Sequence, residues 1–60
     1  MFNIGDTVHV KGALHLTARV LSKNEYGYRL EWYDPNHDEF DGESGYYQDD
    51  ELVLIEKVEE

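Results

Sequence analysis

Apolar and polar side chains alternate along most of the chain. In DTVHVK, Val8 and Val10 alternate with Thr7, His9 and Lys11, the period of a half-buried strand, and Gly5 and Asp6 ahead of them supply a turn. LTARVLS repeats the pattern, with Leu16, Ala18 and Val20 on one side and Thr17 and Arg19 on the other. NEYG follows as a turn. YGYRLEWY is the clearest strand: Tyr26, Tyr28, Leu30 and Trp32 share one face, and Gly27, Arg29, Glu31 and Tyr33 the other. Asp34-Pro35-Asn36 stops it, because proline donates no ladder hydrogen bond and Asp and Asn favour turns.

Beyond that turn the period fades. A loop of roughly ten residues is expected, longer than most hairpin connections, with GYYQ as a short fourth strand. DDE suits a single helical turn. LVLIEKV reads as the closing strand, because four consecutive apolar residues fit a buried segment better than one face of a helix. Five short strands with one alternating apolar set predict an all-β domain, a sheet bent into a small five-stranded barrel with a long acidic loop between strands 3 and 4. It is read as one domain over residues 1–60, with its core at about 4–56. Closure into a barrel also removes most of the hazard of exposed strand edges.

Composition narrows the class. Sixty residues without cysteine hold no disulfide and no thiolate zinc site, so the fold must rest on apolar packing, a partner or a second copy. No apolar run approaches the roughly 20 residues of a membrane helix. MFNIGDTV lacks the basic and apolar segments of a signal peptide. A cytoplasmic protein is the resulting expectation, of bacterial or phage type from its size.

The net charge of −9 is unevenly placed. Residues 1–33 sum to +1 and residues 34–60 to −10. From Tyr33 to Glu51 there are eight acids and neither Lys nor Arg. Such a chain repels a phosphate backbone, which argues against ordinary nucleic-acid binding, while its segregated charge can steer a basic partner.

GDTVHVK at the start, TARV in the second strand, LEWYD ending the third and DELVLI at the close resemble the SH3-like barrel group. Within it the chain is similar to small YodC-like bacterial proteins, which share the Gly-Asp-x-Val start, the Trp-aromatic-Asp third strand and the Glu-Leu-Val end. A Tudor-like branch has a similar strand order. The similarity spans roughly residues 4–55. It departs at GALHL, where the YodC-like pattern has a Gly-rich link, and in the acidity that follows Trp32. The resemblance implies the barrel. Its YodC-like branch brings no activity, and its Tudor-like branch implies a cage for methylated Lys or Arg.

A cage needs about three rings facing one space, with a carboxylate nearby. Tyr33, Tyr46 and Tyr47 with Asp34, Asp49 or Asp50 are the candidates; the competing reading has Tyr28 and Trp32 in the core and the other tyrosines roofing it. Asp34, Asn36 and Asp38 stand at positions one, three and five of a calcium loop. Glu39 holds the place of the required Gly and Gly45 that of the bidentate Glu, so no metal or other cofactor is expected. His9, His15 and His37 have no ligand spacing. Ser22 and Ser44 have no nucleophile signature, and the paired carboxylates no evident cleft, so no catalytic residue is assigned.

The sequence therefore reads as a non-enzymatic protein-binding module. The predicted contact residues are Tyr33, Asp38, Glu39, Asp41, Glu43, Tyr46, Tyr47, Asp49 and Asp50, on a variable loop over 34–45 and its flanks. An alternative is an acidic nucleic-acid mimic that fills the basic groove of a DNA- or RNA-handling enzyme. Direct nucleic-acid binding would require Lys11, Arg19, Lys23 and Arg29 to cluster on one face. Leu21, Tyr33, Tyr47 and either Val53 or Ile55 fall on the outward parity, and their convergence would mark a partner or homodimer interface.

Overall fold

The computed structural model describes residues 1–58. It is all-β: strands β1 (Thr7–Val10), β2 (Ala13–Asn24), β3 (Gly27–Asp34), β4 (Glu39–Tyr47) and β5 (Leu52–Glu56) form one antiparallel sheet in the order β4-β3-β2-β1-β5. A single 3-10 turn, Asp49–Glu51, joins β4 to β5. Among the described residues no helix is long and apolar enough to cross a membrane.

β2 is the organising element. Ala18 lies between Val8 of β1 and Trp32 of β3, and Arg19 lies between Thr7 and Glu31. A bulge between Val20 and Ser22 leaves Leu21 without an opposite residue. Such bulges bend a strand and raise its twist, which lets one long strand serve both halves of the sheet. The inner face then gathers Val8, Ala18, Val20, Tyr28, Leu30 and Leu52 into one buried cluster, with Phe2, Val10, Trp32 and Tyr47 packed around it.

The expected alternation holds in β1 and through the centre of β2 and β3, but Leu16, expected inward, is exposed, and of the closing run LVLI, expected to be buried, only Leu52 is. Two more differences concern the connections between strands. Tyr26, expected beside Tyr28, sits in the β2–β3 turn and is exposed. Gly27 takes φ 125°, and a Cβ there would overlap the Tyr47 carbonyl, so the alternation begins only after it. The second difference is larger. The expected acidic loop is mostly strand: only residues 35–38 connect β3 to β4. Asp34 accepts from the Asn36 N–H with its carboxylate and from the His37 N–H with its carbonyl, and Asp38 adopts φ 50°. That is a tight turn ending in a left-handed residue, a common hairpin design. It folds residues 39–47 back onto β3, where ladder bonds outweigh the poor strand propensity of Asp, Glu and Gly.

β4 keeps this pairing with two bulges, one between Phe40 and Glu43 and one between Glu43 and Tyr46. At one of them the Leu30 N–H donates to the buried Ser44 hydroxyl at 2.9 Å, which donates in turn to the Gly45 carbonyl. A side chain thus satisfies a buried backbone donor that the interrupted ladder leaves over.

Asp6 is buried as well. Its carboxylate accepts from Asn3 N–H at 2.9 Å and from Val58 N–H at 2.8 Å, and its own carbonyl accepts from Val20 N–H. One residue, through its carboxylate and its carbonyl, therefore ties both ends of the described chain to β2. The two backbone donors hold its carboxyl below the ordinary 3.8, against the opposing effect of burial, with help from Lys57 and Lys23.

Two outcomes follow for stability. Leu30→Ala, at a site with no exposure, should cost about 2–5 kcal/mol. A domain of this length holds only roughly 3–9 kcal/mol in total, so urea titration should find this variant largely unfolded. Ser44→Ala should cost about 1–3 kcal/mol by leaving the Leu30 amide unpaired, whereas Leu14→Ala, on a residue 75% exposed, should stay within about 0.5 kcal/mol.

Asp6 adds a pH dependence. A folded value below the unfolded 3.8 means its contribution is present above that pH and lost as pH falls through the lower, folded value. Asp6→Asn should lower the melting temperature at neutral pH and flatten its decline in acid relative to wild type. Parallel acid profiles for the two proteins would contradict this role.

Candidate partner-binding face

The outer face of the sheet is built from β2, β3 and β4. Register places Arg19 opposite Glu31, Glu31 opposite Glu43, Tyr33 opposite Phe40 and Arg29 opposite Tyr46. Opposed residues in a ladder point to the same side. The Tyr33 and Phe40 rings lie 5.3 Å apart, and the Arg19 guanidinium sits 4.0 Å from the Phe40 ring centre. Arg29 pairs with Glu43 at 2.7 Å. Further along, Tyr26 and Tyr46 approach to 5.8 Å, and Asn24 donates weakly to the Tyr46 hydroxyl.

The hairpin tip completes one end of this face. The Tyr33 hydroxyl donates to Asp38 Oδ1 at 2.6 Å. Accepting this bond, the Asp38 carboxylate raises the Tyr33 hydroxyl above its ordinary 10.0, followed by desolvation and the remaining negative charge of Asp38 and Asp34. Asp34 itself is held below 3.8, first by His37, whose Nδ1 lies 2.7 Å from Asp34 Oδ2, and then by the Asn36 N–H. Both carboxylates of the calcium-like run, Asp34 and Asp38, are thus committed to local bonds. Asp41 accepts from the Gly42 N–H.

The predicted contact residues therefore divide. Tyr33, Glu43 and Tyr46 share the outer face, and Asp38, Glu39 and Asp41 crowd the exposed hairpin end. Tyr47 turns inward, opposite Tyr28 and edge-on to Trp32 at 5.8 Å. Asp49 and Asp50 lie past the far end of β4, on the order of 25 Å from the hairpin by strand rise. There Asp49 meets the Met1 amino group at 3.8 Å and lines a shallow depression of about 340 Å³ with Lys23 and Tyr28. Burial and the Asp49 charge raise the Tyr28 hydroxyl above 10.0.

A cage of Tyr33, Tyr46 and Tyr47 is consequently not assembled. Tyr46 and Tyr47 are neighbours in β4 and so lie on opposite faces; the two bulges cancel between Phe40 and Tyr47 and change the face only of the residues around Glu43. Leu21, Tyr33, Tyr47 and the β5 residues likewise fail to converge, since Tyr47 belongs to the core. The basic residues do not cluster either. Lys11 occupies the β1–β2 turn, Lys23 donates to the Phe2 carbonyl, Arg19 covers Phe40 and Arg29 is held by Glu43. Phe40 is the outer-face ring that spacing missed; its place beside Tyr33 becomes legible only once the turn at 35–38 is known.

Compared with known proteins, the chain matches no family model, no curated protein and no solved structure.

Asp38→Asn removes the charged acceptor that holds the Tyr33 proton. The titration midpoint of Tyr33, followed by its ring carbon NMR shift, should then fall back toward 10.0. An unchanged midpoint would show that the 2.6 Å contact does not persist in solution.

Proposed function

We propose that this chain is a non-enzymatic module with an SH3-like fold that binds another protein through the outer face of β3 and β4. The observation that carries the reading is the Tyr33–Phe40 ring pair beside Asp38, Glu39 and Asp41, acids that have no cationic partner among the described residues. Flat rings offer contact area at small entropic cost, and uncompensated carboxylates steer and orient a basic partner. Arg19 over Phe40 is an internal example of the cation this face attracts. The strand order, the double pairing of β2 and the 3-10 turn before β5 support the SH3-like assignment.

A second reading is favoured by the same unpaired acids. Carboxylates spaced along a rigid strand can stand in for phosphates and occupy the basic groove of a DNA- or RNA-handling enzyme. The two readings share a face and differ in the occupant.

The test is capture of partners from a bacterial lysate by wild type, by an Asp38→Asn/Glu39→Gln/Asp41→Asn variant and by Phe40→Ala, across a salt series. Protein binding predicts one partner lost by both variants. The mimic predicts a nucleic-acid enzyme that is released by moderate salt or by competing duplex, and that is retained by Phe40→Ala. An identical set of partners on all three proteins would remove this face as the binding site.

A further inference from the structure

Asp41 and Gly42 form the first bulge of β4. The ladder sets Phe40 against Tyr33 and Glu43 against Glu31, which leaves these two residues against Trp32 alone and neither with an opposite residue. Gly42 takes φ 82°, the left-handed conformation that one class of bulge reserves for glycine. Its N–H donates to Asp41 Oδ1 at 2.9 Å, so the amide nitrogen rests against the carboxyl group of the preceding residue. Both residues are exposed to water. On the side where a Cβ would project from Gly42, no atom beyond its chain neighbours lies within 4 Å.

This is the starting arrangement for ring closure between a side chain and the next amide. A nitrogen held in a regular ladder cannot turn toward the carboxyl carbon behind it, and a side chain on the following residue crowds the approach. Here the ladder is interrupted and the following residue has no side chain. Asp41-Gly42 is also the one place in the chain where Asp or Asn precedes Gly. Other sites are held back by their surroundings. Asp34 precedes Pro35, which has no N–H. The N–H that follows Asn36 donates to the Asp34 carbonyl, and the N–H that follows Asp50 donates to the Gln48 carbonyl. Asp6 is buried, with its carboxylate taken by two backbone donors.

We infer that Asp41-Gly42 is a site of spontaneous isoaspartate formation in the folded protein. The Gly42 nitrogen gives up its proton and bonds to Asp41 Cγ, and the protonated carboxyl group loses one oxygen as water, leaving a cyclic succinimide. Water then opens the ring. Addition at Cγ breaks the new bond and restores aspartate. Addition at the Asp41 backbone carbonyl carbon breaks the original peptide bond and leaves Gly42 attached through Cγ. Nothing is oxidised or reduced, water is the only co-reactant, and the mass of the chain is unchanged.

The product carries Cβ as an extra main-chain atom and its carboxylate directly on Cα. The bulge therefore lengthens between Phe40 and Glu43, and the acid at this position moves relative to the Tyr33–Phe40 ring pair. The reaction proceeds whether or not that face holds a partner, so the two readings fail separately.

The test is incubation of the folded chain in warm, mildly acidic buffer made with heavy-oxygen water, followed by tryptic digestion in ordinary water. The peptide between the cleavage sites at Arg29 and Lys57 should split into two chromatographic forms of the same composition, the new one carrying at least one heavy oxygen. Electron-transfer fragmentation should place the isoaspartate at residue 41, and an isoaspartyl-specific carboxyl methyltransferase should methylate the aged protein. The folded chain should react at a rate of the same order as the chain unfolded in urea. Asp41→Glu, which would have to close a larger ring, should abolish the new form, and Asp41→Asn, which releases ammonia more readily than the acid releases water, should accelerate it. Isoaspartate that forms only in urea, forms first at another Asp or Asn, survives Asp41→Glu or does not form at all would overturn the inference. Should a variant fail to fold, the heavy-oxygen label and fragmentation of wild type decide alone.

Discussion

Everything in this small sheet depends on β2 serving two partners at once. Ala18 and Arg19 are hydrogen-bonded into the ladder on both sides, and the bulge at Leu21 supplies the bend that makes this possible. Without that bend, β1 and β5 would continue as a flat extension of β3 and β4, and Leu52 could not reach the cluster that holds Tyr28 and Leu30. A chain this short buries only about 60% of its unfolded surface, so it cannot spare a second core. Asp6 secures the result, its carboxylate joining residues 3 and 58 and its backbone carbonyl accepting from Val20 of β2.

The same economy governs the polar side of the fold. Where β4 departs from regular pairing, Ser44 supplies the acceptor that Leu30 would otherwise lack. The bulges that require this also bring Glu43 onto the outer face between Phe40 and Tyr46, while Tyr47 stays over the core. The two sheet edges then diverge in character: one is acidic, irregular and lined by rings, the other apolar and nearly regular. A charged edge resists strand addition and favours contacts through side chains, whereas an apolar edge with free amide groups favours contacts through the backbone.

Much of the fold was legible in the residues. The alternation in DTVHVK, LTARVLS and YGYRLEWY gave the inner faces of β1, β2 and β3 except at Leu16 and Tyr26, which are exposed, and DDE and LVLIEKV placed the 3-10 turn and β5, though β5 ends at Glu56 and buries only Leu52. β4 was not legible over most of its length. EFDGES has two glycine- or serine-sized gaps and three acids in six residues, a composition that by itself says loop. It becomes a strand because β3 lies ready beside it and the Asp34 turn aims it back. The candidate site shares that fate: Tyr33 and Asp38 could be named from their chemistry, but Phe40 as their neighbour and Tyr47 as a core residue could not.

The sequence by itself determined the strand period, the apolar set of the core, the acidic segregation and the absence of cysteine chemistry, because these are properties of side chains and their spacing. Tertiary structure alone decided which aromatics meet, which acids remain unpaired and which edge is left open. Those outcomes depend on the bulges in β2 and β4 and on the turn at 35–38, and each of these bulges adds a single residue of register. In a ladder with a period of two, one residue is enough to move a side chain from one face to the other.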